Sequence, residues 1–301
     1  MCLGVCWVGL LSGSGLAPPP AMLVRVFDRV KVLNIGDLPI EVRGWSQDVR
    51  EVAFEYLPTV SEVFTPCLTH RDVYIRRVLN IQPRVNDALA IGRLLHEAYL
   101  APFRLLNRAS RGSVIDELAE LKAKILNDLP GEVAEFGKVV FEEASRVVMD
   151  VIYDGYPLPI SVEPQLEGSI IGFSDGIKPD LLVGLIPVEV AVTDNQDYIA
   201  RKELALTAYA LAIEAYLGNP VNYGILIVLN PTLRSIQYRQ VILSDPLRRS
   251  VLRERDEVAR IVARKDGPGP LTIWGNFNEP SSAKNIRQVR HKSSNFYLEV
   301  G

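Results

Sequence analysis

The stretch GIKPDLLVGLIPVEVAVT, residues 176–193, carries two acids on short apolar runs, Asp180 before LLV and Glu189 inside IPVEVAV. Their separation spans the turn VGLIP, which lets neighbouring strands present both acids at one sheet edge. Hard divalent cations such as Mg²⁺ and Mn²⁺ take oxygen ligands, often carboxylates, with an occasional imidazole. His96, in GRLLHEAYL, completes such a donor set. The chemistry within its reach is cation-assisted hydrolysis of a phosphodiester, which needs an activated in-line water and neutralisation of phosphate charge. Each residue also has a structural reading. A lone histidine on a helix is more often structural or on the surface. Asp180 follows Pro179 and can mark a turn. Glu189 alternates with Val188 and Val190, which turns it away from them and toward solvent.

The elements that must position these residues follow from periodicity. Residues 61–79, SEVFTPCLTHRDVYIRRVL, begin with Ser61 and Glu62 as cap residues and continue as a basic helical stretch interrupted by Thr65 and Pro66. Arg71, Arg76 and Arg77 crowd there, either as a solvated face or as contacts to phosphate. Residues 88–107 place apolar side chains at i, i+3, i+4 and i+7, which predicts an amphipathic helix bearing His96. Helical patterning continues over 114–150, broken by Pro130 and Gly131. After Tyr156 the chain turns rich in Val and Ile with Gly and Pro between, the pattern of short strands. YIARKELALTAYALAIEAYLG is a nearly all-apolar helix ended by Gly218, and VNYGILIVLN a strand covered on both faces. Strand, buried helix and strand make a βαβ unit with parallel pairing. Residues 245–265 form a charged, arginine-rich helix opened by an Asp cap and a Pro, and 266–301 a partly ordered tail with the basic segment NIRQVRHK. The fold class is α/β, with a helical portion before the main sheet.

Composition sets limits. The chain has 301 residues, 48% hydrophobic and 23% charged, enough for one large domain or two small ones. Its net charge of −3 means that any surface for nucleic acid is a local patch. Three cysteines, Cys2, Cys6 and Cys67, supply neither a disulfide framework nor a four-cysteine zinc site. That usage points to a reducing, cytoplasmic setting. The first 21 residues are uncharged and apolar, without the basic start of a signal peptide and too short to span a bilayer; they read as a leader upstream of a true start at Met22. No membrane partner is expected.

The order of motifs resembles the RecB-like branch of the PD-(D/E)XK nucleases: a helix with G-x-x-x-H, a strand with Asp, a strand with Glu-x-Lys, and a helix with Gln-x-x-x-Tyr. Gly92 and His96 match the first motif, Asp180 and Glu189 the next two. Glu203 and Thr207 stand at the last, with Tyr209 two residues on. EVRGWSQ at 41–47, PCLTHRDVYIRRVLNIQP, GRLLHEAY and LALTAYALAIEA are similar, more narrowly, to the archaeal CRISPR-associated Csa-one proteins, over roughly residues 38–230.

The resemblance implies a restriction-endonuclease-like mixed sheet flanked by helices, with a helical insertion before the sheet. A nuclease-fold domain then occupies 22–240, its helical portion 61–150, and the arginine-rich helix and basic tail fill 241–301. It implies a divalent-metal-dependent DNA nuclease of CRISPR adaptation, with DNA and other adaptation proteins as partners, or a non-cutting DNA-binding scaffold of the same complex. The implied metal set is His96, Asp180, Glu189 and the carbonyl of Val190, for Mg²⁺ or Mn²⁺. Two departures matter. Family members bind an iron–sulfur cluster through one cysteine near the N-terminus and three near the C-terminus. Cys67 matches the first, and no cysteine follows it. The cluster is therefore expected to be absent. The motif lysine is Ala191. Lys202, at the start of the crossover helix, and Lys178, on the strand face of Asp180, are the replacements open to the chain.

Overall fold

In the computed structural model, residues 20–34, 38–82, 87–156, 158–267 and 298–300 are described. Most of the expected leader and the tail segment 285–292 lie outside them. The helices are α1 (Met22–Asn34), α2 (Gln47–Arg50), α3 (Val60–Val63), α4 (Arg71–Val73), α5 (Asp87–Leu100), α6 (Val114–Asp128), α7 (Gly131–Tyr153), α8 (Gln196–Leu217) and α9 (Asp245–Arg264). Six described strands form one sheet in sequence order: β1 (Ile160–Val162), β2 (Leu181–Val183), β3 (Ile186–Val192), β4 (Tyr223–Asn230), β5 (Ser235–Ile242) and β6 (Leu298–Val300). Only β3 and β4 pair in parallel, joined by the crossover helix α8, as the βαβ pattern predicts. The architecture is mixed α/β.

Both faces of this sheet are covered. Val188 and Val190 of β3 and Ile225, Ile227 and Leu229 of β4 pack into a core with α1, α5 and α7. Ala191 of β3 and Leu226 and Val228 of β4 pack on the other side with α8 and α9. Every residue of β4 is buried, which explains why YGILIVLN reads as a continuous apolar run. Two-sided burial also overturns the solvent reading of Glu189. Alternation does turn it from Val188 and Val190, but α8 occupies that side, and Glu189 is 3% exposed.

Several boundaries shift for local reasons. The helix expected over 88–107 is α-helical to Leu100 and tightens into a 3₁₀ segment, Ala101–Asn107, where Pro102 denies it an N–H. The cap expected at Ser61 belongs to Thr59: its hydroxyl accepts from the Glu62 N–H, and Glu62 returns to the Thr59 N–H in a capping box. The cap of α9 is Ser244, while the Asp245 carboxylate accepts instead from the N–H groups of Glu41 and Val42. That bond ties the 41–46 loop to α9. The loop also presses onto α8 at Gly44, where a Cβ would meet the Leu211 carbonyl at 2.0 Å. Among the described residues no helix is long and apolar enough to cross a membrane.

Candidate active site

The antiparallel register of β2 and β3 places the two acids. Leu181 pairs with Val188, so the next step of the ladder sets Asp180 across from Glu189 on one face. Asp180 stands just ahead of β2, and its Oδ2 accepts from the Val190 N–H at 2.7 Å. A strand residue aims its N–H and C=O toward the same neighbour, so the Val190 carbonyl lies on that edge too. From the opposite helical layer, α5 brings His96, whose Nε2 lies 3.0 Å from Asp180 Oδ1. From α8, the Lys202 ammonium reaches Glu189 Oε1 at 2.5 Å. The other oxygen of Glu189, Oε2, is buried and has no hydrogen-bond partner among the described residues.

Tyrosines complete the surroundings. The Lys202 ammonium lies 5.4 Å from the ring centre of Tyr198, one turn earlier on α8. Tyr209, two turns later, sets its phenol against Glu189, and burial followed by the Glu189 and Asp180 charges holds that phenol well above its ordinary pKa. This is the tyrosine that stands two residues beyond the position the motif spacing expects.

The electrostatics follow from burial and proximity. Burial, then the Asp180 charge, pushes Glu189 up to about 7, with Lys202 and His96 pulling the other way. For Lys202, burial opposes the charge, but Glu189, Tyr198 and Asp180 outweigh it and hold the ammonium firmly protonated. For His96, burial is likewise outweighed by its bond to Asp180 and by both carboxylates, so its pKa is raised.

As the side chains stand, these residues form two pairs, His96 with Asp180 and Lys202 with Glu189. No three His, Cys, Asp or Glu among the described residues converge to hold a metal ion. The donor chemistry nevertheless suits a hard cation. Two carboxylates share one face, an imidazole bonds one of them, one buried carboxylate oxygen has no hydrogen-bond partner among the described residues, and an ammonium lies against its twin.

Residues 21–271 match the family described as CRISPR-associated exonuclease Csa1. The chain belongs to the Csa1 family. It is 27% identical over 263 residues to a CRISPR-associated exonuclease Csa1 of Thermoproteus tenax, covering 82% of this chain and 92% of that one. It is 24% identical over 253 residues to another of the same name from Saccharolobus solfataricus, covering 76% and 86%. No solved structure matches the chain.

The other residues singled out in this Csa1 chain lie elsewhere. Lys178 is exposed and pairs with neither acid, whereas Lys202 touches Glu189. Arg77 bonds the buried Glu62, and Arg76 bonds the Asp72 carboxylate at 3.2 Å. Both therefore already serve an internal partner, while Arg71 is half-buried at the start of α4. Cys67 is a free thiol beside Thr69.

Sequence reasoning missed how the arginine-rich helix is used. Arg248 and Arg255 of α9 are 0% and 1% exposed, which removes them as phosphate contacts. Arg255 donates to the carbonyls of Val49, Ile171 and Glu51. Arg248 makes a two-pronged bond to Glu214 and also reaches the carbonyls of Leu243, Val42 and Val221. Arg201, next to Lys202 on α8, donates to the Thr65 carbonyl at 3.0 Å and to Glu254 at 3.1 Å, while His70 bonds the same Glu254 oxygen at 2.8 Å. One signal was available: Glu214 interrupts an almost wholly apolar helix, and a buried acid demands a cation.

Proposed function

We propose that this Csa1-family chain is a divalent-metal-dependent DNA nuclease of CRISPR adaptation, trimming or selecting fragments before they become spacers, in company with other adaptation proteins in the cytoplasm. The observation that carries the reading is the Lys202 ammonium on Glu189: the chain has Ala191 at the motif position, yet it brings a lysine to the same acid from α8. The family match and the names of both relatives support the nuclease chemistry. The order of elements supports a RecB-like, restriction-endonuclease-like core: α5 with His96, Asp180 before β2, Glu189 on β3, then α8 crossing to parallel β4.

In this reading Asp180, Glu189, His96 and the Val190 carbonyl hold one Mg²⁺ or Mn²⁺. The bound ion supplies polarisation of the phosphoryl oxygen and a water of lowered pKa. Lys202 would stabilise the charge that develops on phosphate, an effect confined to the transition state. Arg71, Arg76 and Arg77 contact phosphates from outside the site. An iron–sulfur cluster does not fit: Cys67 is the last cysteine of the chain, and four thiolates normally hold such a cluster. We propose that it is absent, so anaerobically purified protein is colourless and carries no stoichiometric iron or sulfide.

One observation favours a scaffold instead. The acids are occupied in pairs rather than gathered around one point. Incubation of labelled single- and double-stranded DNA with Mn²⁺ and with Mg²⁺ separates the two. Cleavage lost in Asp180→Asn supports the nuclease, and DNA binding with no cleavage supports the scaffold.

A further inference from the structure

Many glycines of the described chain have a local reason, but the one inside α5, beside the site, does not. Gly44 is pressed against α8, and a Cβ on Gly137 would meet Leu129 Cδ1 at 2.2 Å. Gly155, Gly172, Gly176, Gly184 and Gly218 adopt positive φ. Gly92 does neither. It lies inside α5 without positive φ, and a Cβ there would find nothing within 4 Å. An interior glycine weakens a helix relative to alanine, and here no neighbour within the described chain requires it.

Its place on α5 is informative. Gly92 and Arg93 stand four and three residues before His96, so all three share one side of the helix. Helical side chains lean toward the N-terminus, which carries the His96 ring over the turn containing Gly92. The backbone there is bare next to an imidazole bonded to Asp180. Arg93 is exposed and forms no ion pair among the described residues. Around Asp180, burial alternates: Ile177, Pro179 and Leu181 are buried, and Lys178, two residues before Asp180, is exposed. Lys178 likewise forms no ion pair among the described residues. Arg43, Arg104, Arg201 and Arg248, by contrast, each pair with a carboxylate.

We propose that Gly92, Arg93 and Lys178 form the seat of the nucleic-acid strand at the site mouth: the sugar–phosphate backbone lies on the bare helix surface at Gly92, with one phosphate against Arg93 and another against Lys178. The proposal rests on the nuclease reading for the identity of the site, but its readout is binding. It assigns Lys178 to substrate contact rather than to replacement of the motif lysine. A neutral surface would suit an apolar ligand. Two unpaired cations flanking a bare backbone suit a polyanion with a thin, flexible spine.

The test uses the full chain and a short fluorescein-labelled DNA strand, alone and as duplex, with affinity read by anisotropy over a salt series. Gly92→Ala should melt at the same or a higher temperature, as alanine inside a helix does. It should nevertheless bind DNA about tenfold more weakly, and Gly92→Leu more weakly still. Arg93→Ala and Lys178→Ala should each flatten the logarithmic salt slope by about one, while Lys124→Ala, on α6, leaves it unchanged. Mn²⁺ affinity should be the same in all five variants. DNA affinity unchanged in Gly92→Ala and in the Arg93→Ala, Lys178→Ala double variant would overturn the seat. Wild-type binding without cleavage would overturn the nuclease reading and leave the seat standing on its binding data. Absence of wild-type DNA binding would overturn both.

Discussion

Two glutamates are buried on facing elements, and they are treated in opposite ways. Glu214 of α8 is 0% exposed and Glu189 of β3 is 3% exposed. Glu214 Oε1 accepts from Arg43, Arg248 and the Val221 N–H, and its Oε2 from Arg248 and the Gly44 N–H. Glu189 has one ammonium on Oε1 and an unsatisfied Oε2. A fully bonded buried charge fixes the fold around it, here by pinning the 42–44 loop and α9 to α8. A partly bonded one stores unfavourable energy that a ligand can release. The difference separates an acid bonded at both oxygens from one bonded at a single oxygen among the described residues.

The largest effects expected are those that exchange the two roles. Glu214→Gln leaves the Arg248 guanidinium buried with its charge uncompensated, a class of change that costs about 3–5 kcal/mol. Chemical denaturation should show that loss, with cleavage per folded molecule close to wild type. Glu189→Gln should do the reverse. Stability should move by less than about 1 kcal/mol, because the flexible Lys202 stem can carry its ammonium toward water. Cleavage should fall below detection. Equal destabilisation by the two variants would erase the distinction.

Lys202→Ala sharpens the same contrast inside the site. Removing a preorganised positive group from a transition state costs about 10²–10³ in rate. Cleavage should drop by that factor, with Mn²⁺ and DNA affinities retained. A loss of Mn²⁺ binding instead would make Lys202 a support of the metal set.

A smaller effect is pH dependence in metal-free protein. Glu189 is held up to about 7, so between the ordinary carboxylate value and 7 the folded state keeps a proton that the unfolded chain releases. Stability from this group therefore falls as pH rises through that window, and Glu189→Gln should remove that part of the slope in thermal melts. An unchanged slope would mean that Glu189 is ionised throughout.

The smallest expected effect belongs to the outer arginines. Arg76 and Arg77 already bond Asp72 and Glu62. Replacing Arg71, Arg76 and Arg77 together should weaken DNA binding by less than about tenfold and flatten the salt slope only modestly. A loss larger than that of the Gly92 variants would move the main nucleic-acid contact to α4.

What was legible in the sequence follows from how local its cause is. The β3–α8–β4 unit was readable because apolar runs bounded by Gly and Pro specify their own elements, and the acids could be placed because a two-residue period fixes their face. Burial of Glu189 was not readable: alternation gives a side, and only the packing of α8 shows that the side is covered. Burial of Arg248 and Arg255 was not readable for a similar reason. Their partners include carbonyls about 200 residues earlier in the chain, at Val42, Val49 and Glu51, and nothing in the local pattern RRSVLRERDE distinguishes a buried arginine from a solvated one. The cap at Thr59 was displaced onto Ser61 because both residues can cap, and the choice is made by the reach of Glu62 back to the Thr59 N–H.

The most direct measurement is a time course of labelled DNA with Mn²⁺, comparing wild type, Lys202→Ala and Glu214→Gln at equal concentrations of folded protein. The account predicts cleavage by wild type and Glu214→Gln, and a loss of about a hundredfold or more in Lys202→Ala. Cleavage by Lys202→Ala at the wild-type rate, or no metal-dependent cleavage of any DNA form by the wild type, would contradict it.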